Sequence, residues 1–319
     1  MRAAHRALFV VATLLILPLR AAAWHDTGHM LVAQIAYLRL SPAAKERVDK
    51  LLVTPQGRRP LIHLCAGYYT AATCEKTYDP VTIAVWMDDF RGDSLNSEYD
   101  PWHYINYKPF FDGIPVRTNV GPEPVNVLDR INWAVNTLRQ GTGRDKQDAE
   151  TLGFLYHLVG DVHQPLHAAT RYSAARPDGD AGGNGFTIKL PPDNRNGSLH
   201  FYWDSGAGRF AGFEELKRPL DPASRARLLA AAEELMKTFP ADSMPEWKNT
   251  EPLAWVEESN RLAREFAYVR IREGEAPSPE YAREAQRIVG QRVTLAGYRM
   301  AEVLNRLFVA RPADKPPSR

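Results

Sequence analysis

The sequence predicts a mostly α-helical fold, in one domain or two closely packed ones, with long loops and at most a small β element. Three observations predict it. Apolar residues recur at helical spacing in one segment after another; several of these segments open on a proline, as helix starts do; and only Phe186 to Leu190 reads as a strand.

The first element is a leader. Arg2, His5 and Arg6 precede an almost wholly apolar run from Leu8 to Leu19, and Ala21-Ala22-Ala23 fits the small-residue rule for cleavage. A run of about a dozen residues is shorter than the ~20 that a membrane-spanning helix needs. Residues 1–23 are therefore expected to be removed as a signal peptide after Ala23, which leaves a secreted or periplasmic chain beginning at Trp24, with no stable membrane association. The leader carries three arginines and no acid, so the formal charge of +2 falls to about −1 on cleavage. No global basic field then recommends a general nucleic-acid binder. The two cysteines, Cys65 and Cys74, stand in "CAGYYTAATC", and on an exported chain they are expected to form one disulfide.

Next comes "HMLVAQIAYLRLSPAAKERVDKLL", which reads as two helices separated at Ser41-Pro42. Further helices are predicted at Val127 to Leu138, Ala149 to Val162, Pro222 to Lys237, Pro252 to Tyr268 and Pro279 to Leu307. Tyr172 to Ser198 is rich in Gly, Pro, Asp and Asn and is expected to be a long excursion. A loop of that length inside a helical domain is either functional or disordered. The ending "ARPADKPPSR" has nothing to bury, so residues 310–319 are expected to be a flexible tail. Neither an internal repeat nor a low-complexity linker divides the chain.

The histidines carry the chemistry. In "LYHLVGDVHQPLHAAT", His157 and Asp161 are four apart, so a helix points both the same way from successive turns. Pro165 ends or kinks that helix, which lets His167 turn back beside the same cavity. His163 lies about 240° round from His157 at ~100° per residue and faces elsewhere. In "SLHFYWDSG", His200 and Asp204 repeat the four-residue spacing. "AVWMDDFRGD" offers Asp88 or Asp89 behind an apolar turn with Arg91 beyond, and "DPWHYINYKP" offers His103 between bulky aromatics. Imidazole and carboxylate together are usual zinc donors.

"WHDTGH", "WMDDFR", "WHYIN", "HLVGDVHQPLH", "GGN" and "LHFYWD" occur in the order and roughly the spacing of the zinc-dependent single-strand nucleases of the S-one and P-one type. "WVEESNRLAREFAY" and "RVTLAGYRMAEVLNRLF" resemble that family's closing helices, so the likeness runs from Trp24 to about Phe308. The resemblance implies one nuclease domain over residues 24–309, with the helical fold that the family shares with zinc phospholipase C. It implies three zinc ions: one held by Asp88, His103, His157 and Asp161; one by His167, His200 and Asp204; and one by His29, Asp161 and the terminal amine and carbonyl of Trp24. It further implies hydrolysis of single-stranded DNA and RNA to 5′-phosphorylated products, possible 3′-nucleotidase action, and Asp88, Asp161 and Arg91 as the catalytic group. Arg91 would meet the phosphate, a task that suits its planar fork. No obligatory protein partner is implied.

The chain also departs from that pattern. His25 stands where the family commonly has glycine, Asn106 where fungal members have an aspartate, and Gly206 where some members have a larger polar residue. An amide is no general base. Asn106 and Asn184 are nonetheless the substrate-contact candidates, beside Arg91. Two other readings share part of the pattern: a zinc phospholipase C of the same fold, and a non-catalytic exported zinc-binding protein. The Trp-Asp of "LHFYWD" matches the nuclease form, because the lipase form ends in glutamate. Asn196-Gly197-Ser198 would accept a glycan in a eukaryotic secretory route.

Overall fold

A computed structural model describes residues 24–52, 79–90, 97–213, 216 and 218–309. The leader, Cys65, Cys74, Arg91 and the tail from residue 310 lie outside the described residues. The architecture is mostly helical, as the periodicity predicts. In chain order the α-helices are α1 (Asp26–Leu38), α2 (Pro42–Leu52), α3 (Val127–Gln140), α4 (Asp145–Val162), α5 (Leu199–Asp204), α6 (Pro222–Thr238), α7 (Pro252–Leu262) and α8 (Pro279–Leu307). Tight 3₁₀ segments at Thr82–Phe90, Ser97–His103 and Pro165–Ala168 join them. No helix among the described residues is long and apolar enough to cross a membrane.

Local chemistry sets the helix starts. Asn126 accepts from the backbone N–H groups of Leu128 and Asp129 at 3.0 and 3.1 Å, and Ser198, Asp221 and Ser278 cap α5, α6 and α8 in the same manner. Pro222, Pro252 and Pro279 occupy first helical turns, where a missing N–H costs nothing. The helix predicted over Pro252 to Tyr268 is α-helical to Leu262 and continues as a π-helical turn, Ala263–Ala267.

Two helices form the centre. α1 buries Met30, Leu31, Val32, Ala33, Ile35 and Ala36 on nearly all sides, and the long α8 lies against it. α4 lies beside them, and every residue from Thr151 to Thr170 is buried. That stretch contains His157, Asp161, His163, Gln164 and His167. Buried polar groups must find partners within the protein or bind an ion.

The excursion holds more β structure than the single strand expected at Phe186 to Leu190. Strand β3 (Thr187–Leu190) pairs antiparallel with β4 (Arg195–Ser198), while β1 (Phe110–Asp112) pairs parallel with β2 (Arg171–Ser173). The Asn-Gly at 196–197 reads as a turn but lies in a strand, because the chain reverses earlier, between Leu190 and its partner Arg195. These short pairs flank the loop that returns to His200.

Candidate metal centre

Six segments deliver the predicted donors to one buried region. His29 comes from α1, Asp88 from Thr82–Phe90, His103 from the end of Ser97–His103, His157 and Asp161 from α4, His167 from Pro165–Ala168, and His200 and Asp204 from α5. Their donor atoms fall into three groups, the first two sharing His157: His29, Asp88 and His157; His103, His157 and Asp161; and His167, His200 and Asp204. Within each group the atoms lie within 4.8 Å of one another.

Asp161 sits between four imidazoles. Its Oδ2 is 3.0 Å from His103 Nδ1 and 3.2 Å from His157 Nε2, while Oδ1 is 3.4 Å from His29 Nε2 and 4.0 Å from His167 Nδ1. Asp88 reaches His157 at 3.6 Å, His103 at 3.8 Å and His29 at 4.0 Å. The choice that the sequence leaves between Asp88 and Asp89 is thus resolved by direction. Asp89 turns away and receives both guanidinium nitrogens of Arg218, at 2.5 and 2.9 Å.

The protonation of three imidazoles can be read from their partners. Nδ1 of His157 lies 2.7 Å from the Ala84 carbonyl, Nδ1 of His167 the same distance from the His103 carbonyl, and Nδ1 of His200 likewise from Gly182. A carbonyl only accepts, so each Nδ1 carries a proton and donates it. In the neutral ring each Nε2 then holds a lone pair, and that lone pair faces carboxylate. His200 Nε2 is 3.1 Å from Asp204 Oδ2, and His167 Nε2 is 3.5 Å from Asp204 Oδ1. Such a pair in a buried site is satisfied either by a proton on Nε2 or by a cation held between the two lone pairs. Imidazoles oriented by backbone carbonyls are typical of metal ligands.

His29 makes the same point differently. It is fully buried, and among the described residues neither ring nitrogen has a hydrogen-bond partner, nor does the Asp161 Oδ1 beside it. Its ring stacks on that of His157 with centroids 4.0 Å apart. Burial, with His157 adjacent, pushes the His29 pKa below its ordinary value. A neutral buried imidazole with two unpaired nitrogens is costly unless one of them is a ligand.

The glycines of the motifs make room for this arrangement. A Cβ on Gly160 would lie 2.6 Å from His29 Nδ1, and one on Gly182 would lie 2.5 Å from the Leu166 carbonyl while its φ of +64° also disfavours a side chain. Gly160→Ala is therefore expected to lose more by crowding His29, about 1–3 kcal/mol, than the ~1 kcal/mol that alanine gains inside a helix. The melting temperature of the metal-free variant checks this: a rise would show that His29 yields without cost.

Other predicted residues are placed as follows. Trp24 is fully buried, and its indole N–H donates to the Gly160 carbonyl at 2.9 Å. The next backbone N–H, of His25, donates to the Asp204 carbonyl at 2.9 Å, so the start of α1 is tied to both metal-facing helices. The His25 ring packs edge-on against Phe201, with centroids 5.2 Å apart. Asn106 donates to Glu123 at 2.6 Å and accepts from the Thr170 hydroxyl. Asn184 is exposed and its amide donates to Ala181 at 2.8 Å. His163 faces away, as its angular position predicts, with Arg299 donating to its Nε2 at 3.0 Å.

Sequence reading missed two groups. Gln164 lies inside a recognised motif, yet only the structure shows it bonded to Asp204, at 2.5 Å. Arg218 pairs with Asp89 and Asp26 across long sequence separations, and no local signal marks it.

The charge state has a measurable consequence. Burial lowers the His157 pKa, but Asp161 and then Asp88 pull it the other way and leave it raised from 6.5 to about 9. A raised folded pKa gives stability that is complete below 6.5 and lost as pH climbs through about 9. The metal-free protein is accordingly expected to melt at lower temperature at pH 9 than at pH 6.5, by an amount on the order of 3 kcal/mol. A melting curve flat over that range would refute it.

Comparison with known proteins agrees with the geometry. The sequence model of a family described as S1/P1 Nuclease matches residues 24–309. Endonuclease 2 of Arabidopsis thaliana is 27% identical over 298 residues, covering 89% of this chain and 90% of that protein. Endonuclease 3 of the same plant is 26% identical, with 90% of each covered. Nuclease S1 of Aspergillus oryzae is 26% identical over 126 residues, 39% of this chain and 40% of that one.

Proposed function

This chain belongs to the S1/P1 nuclease family, a family of zinc-dependent hydrolases, and we propose that it is an exported three-zinc phosphodiesterase that cuts single-stranded DNA and RNA to 5′-phosphorylated products. Its being a nuclease follows from the family. The ion count, the strand preference, the products, any 3′-nucleotidase action and export are the proposal. The observation that supports it best is the set of buried imidazoles whose Nδ1 protons are bound to backbone carbonyls and whose other nitrogens face Asp161 and Asp204.

In this reading Asp88, His103, His157 and Asp161 hold one zinc, and His167, His200 and Asp204 a second. His29, Asp161 and the terminal amine and carbonyl of Trp24 hold the third. Zinc held there would supply Lewis acidity toward a phosphodiester and would lower the pKa of water from 15.7 to roughly 7. The chain's own residues do the rest. Ala84, His103 and Gly182 lend carbonyls that fix the ligand tautomers. The three aspartates offset only part of the charge of three divalent ions, so the centre stays positive and draws the phosphate, although the whole chain carries little net charge. By the family resemblance Arg91, which lies outside the described residues, would meet the phosphate. Asn184 offers an exposed amide beside the Gly182 loop, and Asn106 joins the His103 and His167 segments through Thr170.

Single-strand preference would come from a slot that stacks an unpaired base, which a paired base cannot enter. The test is a substrate panel on protein beginning at Trp24: single-stranded DNA, RNA, a DNA hairpin and phosphatidylcholine. Cleavage in the hairpin loop well above that in its stem is expected, with the lipid untouched. Equal rates on stem and loop would remove the stacking slot; hydrolysis of the lipid alone would favour the phospholipase reading; inertness toward all four would favour a zinc-binding protein.

A further inference from the structure

Gln164 is fully buried at the junction between α4 and the Pro165–Ala168 turn. The backbone N–H of Leu166 donates to its Oε1 at 2.6 Å. Because an N–H only donates, this bond settles which end of the amide is oxygen, and Nε2 must be the end that donates to Asp204 Oδ1 at 2.5 Å. One amide therefore clamps two things at once: the turn that carries His167, and the carboxylate of Asp204.

Resting on the reading that His167, His200 and Asp204 hold a zinc ion, we propose that Gln164 is the positioning residue for that ion. By engaging Oδ1 it holds the Asp204 carboxylate in the rotamer that leaves Oδ2 toward His200, 3.1 Å from Nε2 and without a hydrogen-bond partner among the described residues. It also sets the distance between the two halves of the group, because His167 lies one residue beyond the Leu166 N–H that Gln164 accepts. Among the described residues the Gln164 amide bonds to the Asp204 carboxylate and the Leu166 N–H and to no other group, and burying an amide is unfavourable unless its donors and acceptors are used. Partners of this kind, one shell out from a ligand, change metal affinity by about 10- to 100-fold when removed.

The test uses four variants of the zinc-loaded protein beginning at Trp24, dialysed against graded free zinc with the bound metal counted. His200→Ala identifies the ion held by this group through its loss. Gln164→Met keeps the side-chain length but removes both polar ends, and is expected to weaken that same ion by about 10- to 100-fold and leave the others unchanged. Combining Gln164→Met with His200→Ala should cost no ion beyond the one that His200→Ala loses. Gln164→Asn keeps an amide that is one methylene too short to span both partners, and should show the same selective weakening if the Met variant fails to fold. Wild-type affinity at this position in either folded Gln164 variant overturns the positioning role, as does equal weakening of all ions, which marks a merely structural residue. If His200→Ala loses no ion, the ligand reading itself is wrong and the role falls with it.

Discussion

Chelation of zinc is expected to abolish hydrolysis and to lower the melting temperature in the same titration. Six segments, from α1 to α5, converge on donors whose atoms lie within 4.8 Å of one another in each group. An ion bound to the folded protein at about 1,000 times its dissociation constant adds roughly 4 kcal/mol. For a chain of this size each kcal/mol moves the melting temperature by about 2–4 °C, so each ion lost should lower it by about 8–16 °C. The metal-free protein is partly protected, because a proton on His157, whose pKa is raised to about 9, replaces some of the missing charge beside Asp161. That compensation reduces the drop without restoring activity, since a proton on Nε2 removes the lone pair that a metal needs. Calorimetry with and without chelator, read beside the hydrolysis rate, decides it. Loss of activity with an unchanged melting temperature would mean that the ions serve the reaction and not the fold.

The helices were legible in the sequence because their causes are local. Ser278 and Pro279 predict the start of α8, and the apolar spacing carries it to Leu307, where it ends. The helix behind "LYHLVGDV" starts earlier than the apolar pattern does, at Asp145, because its first turn, Asp145 to Asp148, is polar. The strands were less legible: Arg195–Ser198 has no strand-like composition, and it is a strand only because Thr187–Leu190 lies opposite it. Pairing of that kind is decided by the partner and not by the segment itself.

The site divides along the same line. Donor spacing within one helix fixes direction, so His157 with Asp161 and His200 with Asp204 could be paired from the sequence, and His163 could be set aside. Contacts between segments could not be found in that way. Asp88 and Asp89 are neighbours of equal chemistry: spacing alone does not separate them, the family resemblance picks out Asp88, and in the structure Asp88 faces the imidazoles while Asp89 pairs with Arg218, far along the chain. The same holds for Gly160, whose missing side chain matters because His29 from another helix fills the space.

The remaining expectation concerns Trp24. If its α-amino group binds zinc with His29 and Asp161, the amine must be free and deprotonated, and an amide formed by even one preceding residue has no comparable lone pair. A protein beginning Met-Trp24 with the Met retained is therefore expected to bind one zinc fewer and to lose most of its activity, about 10³-fold if the missing ion contributes the several kcal/mol typical of a catalytic metal. Trp24→Phe with the correct terminus should suffer less, and differently. The indole donates to the Gly160 carbonyl in the core, and losing that bond costs about 1–3 kcal/mol, which should appear as a lower melting temperature with the zinc count intact. The two variants thus separate backbone from side chain: one changes the metal count, the other the stability. Mass spectrometry must show the Met-extended chain to be intact. If that chain holds as many zinc ions as protein beginning at Trp24 and hydrolyses single strands at the same rate, the terminal amine is not a ligand, and His29 with Asp161 must complete the site from other donors, Asp88 at 4.0 Å being the nearest carboxylate on offer.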